Sequence, residues 1–376
     1  MNGRERFLRW MTFNGFEDVD RPPIWETIGF WSETLDRWRT EGLPSDLGRH
    51  PFFGFLYGGS RRDMLRLIKC IGLDHIETIQ INFGLIPQFA PEVIFQDQNY
   101  IIARDGQGIT KKTLAHGTSM PQFLEYPIKN RADFYEVKSR LRPDEPKRLP
   151  PDWGEVVAQA RERDFPLGLF VHGFFGEPRE LMGLENWLFM HYDDPGFVEE
   201  ILDFWLDFLI ALTSRLFEET SVDFVCLWED MCYHTGPLLS PDMFSKFILP
   251  RYREFTSHLR KNGVQVILVD CDGNLDQLLD LFLAGGIDGV YPLEVQAGND
   301  PVALREKYKR LVMLGGVDKR VLPQGPIAVR KELERIRPVL ATGGYIPCLD
   351  HAVPPDVSLI QYRQYLEELG KIYLSY

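Results

Sequence analysis

From about residue 165 the chain repeats one unit, a short apolar run rich in β-branched residues followed by a helical stretch of ten to twenty-five residues. The runs are PLGLFVHGFF (166–175), VDFVCLWED (222–230), VQVILVD (264–270), IDGVYPLEV (287–295), RLVMLGGVD (310–318) and GGYIPCLDH (343–351). Strands joined through helices run parallel to their neighbours, so this alternation constrains the chain to a parallel sheet faced by helices. RPPIWETIG (21–29) and HIETIQINFG (75–84) are two further candidate strands. They bring the count to eight and point to an α/β fold, a (β/α)8 TIM barrel. A doubly wound open sheet is the alternative, but no GxGxxG follows any run.

The intervening helices carry start and stop signals. Asp194-Pro195 and Ser240-Pro241 read as N-cap and first-turn pairs, and Gly263 and Gly285-Gly286 as stops. Phe197, Ile201, Trp205, Leu209, Leu212 and Leu216 recur at helical spacing, and Pro250 is expected to kink its helix. The amino-terminal half holds an insertion, in which NYIIARDGQGITKKTLAH (99–116) reads as a β-hairpin turning at Asp105-Gly106 and RLRPDEPKRLPPDWG (140–154) is proline-rich. No second self-contained pattern precedes that segment, so residues 1–376 are expected to form a single domain.

The balance of 42 basic against 55 acidic residues leaves a formal charge of -13, which repels phosphate backbones and anionic lipid. Neither nucleic acid nor a membrane surface is an expected partner. The amino terminus lacks an apolar signal core, no stretch is long enough to span a bilayer, and the five cysteines form no CxxC pair. A cytoplasmic protein with free thiols is the expectation.

In a barrel, chemistry sits at the carboxyl ends of the strands. There the sequence places His172, Glu229 with Asp230, Asp270-Cys271-Asp272, Glu294, Asp318 with Lys319 and Arg320, and Asp350 with His351. Each carboxylate alone could be a helix cap or a loop acceptor. Six such ends in succession converge on one mouth, where burial and repulsion raise carboxylate pKa values or a cation neutralises them. Positions i and i+2 of an extended strand share a side, so Asp270 and Asp272 can face one centre. With His351 they make a two-oxygen, one-nitrogen set suited to a divalent metal with an open position, zinc first; Cys271 or Cys348 could substitute in a shifted register. Otherwise Asp272 caps the next helix and Cys271 is a small core residue. Glu229, Asp230 and the nearby Tyr233 are candidates for moving protons or orienting substrate. His172 either lines the site or is a satisfied buried imidazole, and Glu294, Asp318 and Lys319 are candidates for substrate contact at the mouth.

LSPDMFSKFILPRYREF (239–255), GGVDKRVL (315–322) and CLDHAVPPDVSLIQYRQYLEEL (348–369) resemble the uroporphyrinogen decarboxylase superfamily, whose members share a (β/α)8 barrel. The layout matches over nearly the whole chain, the motifs in its carboxyl-terminal half. The resemblance implies one of two activities. Decarboxylases hold a polycarboxylate porphyrinogen with arginines just after the first strand; here Glu26, Trp31 and Glu33 stand in that segment, which disfavours a polyanion. The other branch consists of corrinoid-dependent methyltransferases, which bind zinc through His-x-Cys and a distant Cys to activate a thiol. That register falls on Asp270-Cys271-Asp272 and near His351, an oxygen-rich set better matched to polarising the oxygen or nitrogen that carries a methyl group. The implied function is a methyltransferase acting between a small substrate and the cobalt of a corrinoid (cobalamin) carried on a partner protein, since no Asp-x-His-x-x-Gly corrinoid signature is present. The alternatives are a decarboxylase-like lyase acting on a small carboxylate and a non-catalytic ligand-binding barrel.

Overall fold

The computed structural model describes residues 1–50, 60–116 and 121–374, together with the backbone of two short strands, 52–53 and 56–57, that pair with each other. Eleven strands concern the site: β1 (Glu77–Ile79), β2 (Glu92–Gln96), β3 (Tyr100–Arg104), β4 (Thr110–Leu114), β5 (Gln122–Glu125), β6 (Leu167–His172), β7 (Phe224–Trp228), β8 (Val266–Asp270), β9 (Gly289–Leu293), β10 (Val312–Val317) and β11 (Tyr345–Leu349). Seven pair side by side, all parallel, in the order β11-β10-β9-β8-β7-β6-β1. The six runs expected from residue 165 onward supply six of them.

The sheet curls, and its side chains alternate as strand geometry demands. Phe224, Cys226, Val266, Leu268, Val312 and Leu314 pack inward on one another, while Val225, Leu227, Ile267, Val269 and Met313 face the helices. The inner cluster is capped at the amino ends of the strands by helix α1 (Gly3–Met11), whose Phe7, Trp10 and Met11 join it. Trp10 Nε1 donates to the carbonyl of Tyr345 at 2.8 Å, which fixes that cap to the start of β11. With its amino end plugged, the interior opens where the strands end in polar residues.

The segment 21–29, expected as a strand, is not one. Pro22 and Pro23 offer no N–H to a ladder, and the chain crosses instead between the two sheet edges on a few separate bonds. Asp74 N–H donates to the Ile24 carbonyl at 2.9 Å, and Val353 N–H to the Gly29 carbonyl at 2.9 Å. The run 75–84 is likewise shorter than expected, paired only over Glu77–Ile79. Between β1 and β6 lies a four-stranded antiparallel sheet, β2-β3-β4-β5. The turn between β3 and β4 is organised by Asp105, whose Oδ1 accepts from the N–H groups of Gln107 and Ile109, both at 3.0 Å.

Three helices matter for the site: α2 (Gly176–Met182), α3 (Pro195–Phe217) and α4 (Leu249–Lys261). Asp194 caps α3, accepting from Phe197 N–H at 3.0 Å, and all six apolar residues singled out along it are buried. Before α4 the helix widens to a π-turn over Phe244–Ile248, so Pro250 enters at the first turn of a fresh helix, where its missing N–H costs nothing. Among the described residues no helix is long and apolar enough to cross a membrane.

Candidate functional site

The strand ends surround a cavity of about 580 Å³. Phe170 and His172 of β6, Trp228 of β7, Asp270 of β8, and Asp230, Asp272 and His351 just beyond their strands line it. The antiparallel insertion forms the opposite wall through Gln107, Ile109 and Lys111. Among the described residues five carboxylates line this space (Glu177, Glu180, Asp230, Asp270 and Asp272), against one lysine, Lys111. The field inside therefore favours cations and disfavours polycarboxylates.

Asp272, Glu294 and His351 each bring one ligand atom within 4.8 Å of the others. His351 Nε2 is 3.5 Å from Asp272 Oδ2. Donor atoms on one ion with bonds of about 2.1 Å sit roughly 3.4 Å apart, so that pair already has metal-binding spacing. Burial draws the His351 pKa down, but the hydrogen bond and charge of Asp272, with Glu294 behind it, raise it overall. A divalent cation would replace that proton. The indole of Trp31 stacks on the imidazole, centroids 6.5 Å apart at 22°, and fixes the ring plane.

The cluster differs from the expected set in one ligand: Glu294 takes part and Asp270 does not. Asp270 and Asp272 would share a side only if the chain stayed extended. The ladder stops at Asp270 and Gly273 turns the chain at φ +84°, with its N–H donating to Glu294 Oε2 at 2.8 Å. Asp272 is thereby carried towards the end of β9. Asp270 stays inside the curled sheet, where burial pushes its carboxyl well above the usual range and Asp230 and Asp272 add to the shift. Neither candidate thiol joins the cluster. Cys271 and Cys348 are fully buried, and burial raises both pKa values, away from the thiolate a metal requires.

Asp230 sits at φ 45°, a left-handed conformation rare for aspartate, and so turns its carboxylate into the cavity. Its Oδ2 accepts from Trp228 Nε1 at 3.0 Å, and Oδ1 from Asp272 N–H at 3.4 Å. Burial, then the charge of Asp272, raise its pKa, and Arg179 opposes them from 3.7 Å. His172 faces the same space with Nδ1 2.5 Å from Glu177 Oε2.

Four expected site residues lie elsewhere. Glu229 is fully buried and turned away from the cavity: Oε1 accepts from Phe174 N–H and Tyr252 Oη, and Oε2 from the N–H groups of Phe175 and Gly176. A carboxylate with four protein donors holds structure and cannot reach substrate. Tyr233 is 66% exposed on a two-residue hairpin outside the cavity wall. Asp318 is held by Arg320 at 2.6 Å and caps the turn beginning at Lys319, and Lys319 reaches buried Asp350 at 3.2 Å. The sequence reading missed Glu177, Phe83, Gln107 and Lys111. Glu177 had a signal, since HGFFGE brings an acid to the first turn of a helix five residues after a strand-end histidine.

Residues 108–371 match the family model of uroporphyrinogen decarboxylase (URO-D). Among solved structures the chain is similar to a methyltransferase from Methanosarcina mazei, with 16% identity and a TM-score of 0.65 over 99% of each chain. It is also similar to a B12-independent methionine synthase from Shewanella sp. W3-18-1, with 12% identity and a TM-score of 0.42 over 84% of this chain and 88% of that one. At such identities the first likeness is one of fold, that of a URO-D-like TIM barrel. No curated protein matches the sequence.

Proposed function

The chain belongs to the uroporphyrinogen decarboxylase family, and from that premise we propose that it is a metal-assisted methyltransferase, moving a methyl group between a small substrate and a corrinoid carried on a partner protein. This reading takes residues 1–376 as one (β/α)8 barrel closed by the segment 21–29. The observation that carries it is the convergence of Asp272, Glu294 and His351 on the rim of an acid-lined cavity. The methyltransferase of like fold is consistent with it.

Asp272, Glu294 and His351 would hold a divalent ion such as zinc, whose chemistry when bound is Lewis-acid polarisation of the oxygen or nitrogen bearing the methyl group. Trp31 holds the His351 ring in the orientation that directs Nε2 at Asp272. Asp230, kept close by Trp228 and the Asp272 N–H, orients substrate from the neighbouring strand end. Phe83, Phe170 and Trp228 supply flat apolar contact for a small body, and the cavity is large enough to enclose one. The corrinoid is assigned to a second protein.

A decarboxylase-like lyase needs cations to hold a carboxylate. Among the described residues Lys111 is the one lysine or arginine on the cavity lining, and Arg179 is engaged with Asp230 and the face of Trp228. The direct test incubates zinc-loaded protein with free cob(I)alamin and a panel of methyl ethers and methylamines, following methylcob(III)alamin by its absorbance. Formation with at least one donor is expected. Inertness towards all of them, or methyl transfer unchanged when Asp272 and His351 are replaced together, would sink the proposal.

A further inference from the structure

The cavity holds a second chemical group that the metal cluster does not use. His172 ends β6 and Glu177 lies in the first turn of α2, with only the tight segment Gly173–Gly176 between them. That segment is clamped rigidly, since the buried Glu229 carboxylate accepts three consecutive N–H groups from it. A Cβ at Gly173 would fall 2.1 Å from the Glu229 carboxyl carbon, so the close approach requires glycine. The result is a fixed dyad: Glu177 is 5% exposed and its Oε2 meets His172 Nδ1 at 2.5 Å. Phe83 stacks on the imidazole, centroids 5.6 Å apart at 22°, Trp228 meets it edge-on at 5.3 Å, and Trp205 Nε1 holds the His172 carbonyl at 3.1 Å. Among the described residues no protein group bonds Nε2, and the ring lines the cavity.

Resting on the methyl-transfer reading, we infer that His172, oriented by Glu177, protonates the atom from which the methyl group departs, so that the donors this cavity serves are methyl ethers and amines whose leaving oxygen or nitrogen needs a proton. The balance is simple. The carbon–oxygen or carbon–nitrogen bond breaks, its electron pair stays on the heteroatom, and that atom takes the proton from Nε2. The methyl carbon forms its new bond to the reduced corrinoid nucleophile supplied by the partner. Bulk water restores the proton to His172, and no external oxidant or reductant enters.

The placement of charge supports this. Among the described residues, the charged groups that line the cavity with the ring are Glu177 and Glu180 of α2, Asp230, Asp270 and Asp272 at the strand ends, and Lys111 of β4, so acids outnumber cations around it. Burial pulls the imidazole down, but the charge and hydrogen bond of Glu177, with Glu180 added, leave its pKa above the ordinary histidine value. A proton donor needs that combination: an acid that favours the charged imidazole, and a partly dry cavity in which the proton is given up. In rim order, with the segment 21–29 as the first stave, His172 stands on the third and the candidate metal ligands follow the fifth, sixth and eighth. A substrate seated between them meets the proton donor and the ligand cluster from different strand ends.

The test pairs a spectroscopic readout with a rate comparison. Ring-labelled histidine NMR on the metal-free protein should show His172 titrating above about 6.5, and the Glu177→Gln variant should move that titration down by about one unit or more. With zinc-loaded protein and cob(I)alamin, His172→Gln should slow demethylation of an unactivated methoxybenzene by about 10²- to 10⁴-fold. The same variant should slow a nitro-substituted methoxybenzene, whose phenolate leaves without a proton, by less than about tenfold. In wild type the rate on the unactivated donor should fall as pH rises through the His172 titration, and in Glu177→Gln that fall should come at lower pH. Equal losses on both donors, or a His172 titration indifferent to Glu177→Gln, overturn the inference while leaving methyl transfer standing. Inertness of the wild type towards every donor overturns both.

Discussion

Tyr252 donates its phenolic hydrogen to Glu229 Oε1 at 2.7 Å, joining the first turn of α4 to the end of β7 inside a core from which water is excluded. Three N–H groups of residues 174–176 complete the shell, so both carboxylate oxygens are fully occupied. Glu229→Gln would turn an amide NH₂ towards at least one of those N–H donors, and Glu229→Ala would orphan all of them. Losses of about 2–4 kcal/mol for the first and 3–5 kcal/mol for the second are expected in urea denaturation, with about 1 kcal/mol for Tyr252→Phe. A Glu229→Gln protein as stable as wild type would show that the carboxylate does not organise this loop.

Glu26 sets a pH dependence of stability. Burial pushes its carboxyl up to about 8; the Tyr362 hydroxyl and Leu349 N–H favour the ionised form and Asp350 disfavours it. Unfolded, the group ionises near 4.5. Between those values the folded state keeps a proton that the unfolded state has lost, so this residue makes stability fall as pH rises, by about 1.4 kcal/mol per pH unit at most. Glu26→Gln removes that slope. Urea denaturation at pH 5, 6, 7 and 8 should show the variant gaining on wild type steadily across the window; a constant difference would mean that Glu26 is already ionised in the fold.

The barrel architecture was legible in the chain because its signal is local: each buried strand is an apolar run, and each helix announces its own caps. Asp194 and Ser240 cap where their side chains and neighbours said they would. Where the reading failed, the deciding contact was not local. Segment 21–29 has strand-like composition, yet Pro22 and Pro23 leave it without a ladder, and its bonds go to Asp74 and Val353. Glu229 and Asp230 are adjacent and chemically alike. One strand step separates a carboxylate buried against 174–176 from one lining the cavity: Glu229 continues the outward parity of Val225 and Leu227, Asp230 the inward parity of Phe224 and Cys226. Glu294 was assigned to substrate contact, because its place beside Asp272 depends on how the turn at Gly273 redirects the chain.

The ligand set can be ranked by metal titration. Glu294→Gln and His351→Ala should each weaken zinc binding by more than about tenfold in calorimetric competition with a chelator, since losing a ligand costs at least what losing its outer support costs. Asp270→Asn should stay within about threefold, because Asp270 lies outside the cluster of ligating atoms. The reverse ranking would restore the set with Asp270 as ligand.

Arg148 is the residue through which the proline-rich segment acts on the cavity. Its guanidinium is fully buried and donates to the carbonyls of Arg142 at 2.8 Å, Asn82 at 2.9 Å, Gly84 at 2.6 Å and Arg140 at 3.0 Å. Two of those carbonyls belong to residues lining the cavity, so the fork ties its wall to the segment 140–148. An ammonium is a point donor and cannot span four carbonyls held in a plane. Arg148→Lys should therefore cost about 2–3 kcal/mol and Arg148→Ala about 3–5 kcal/mol in denaturation. Amide hydrogen exchange should locate the damage, with faster exchange at 82–86 and 140–149 while β7 and β8 keep their protection. Loss of protection spread evenly over the barrel strands would mean that Arg148 supports the whole fold and not this wall.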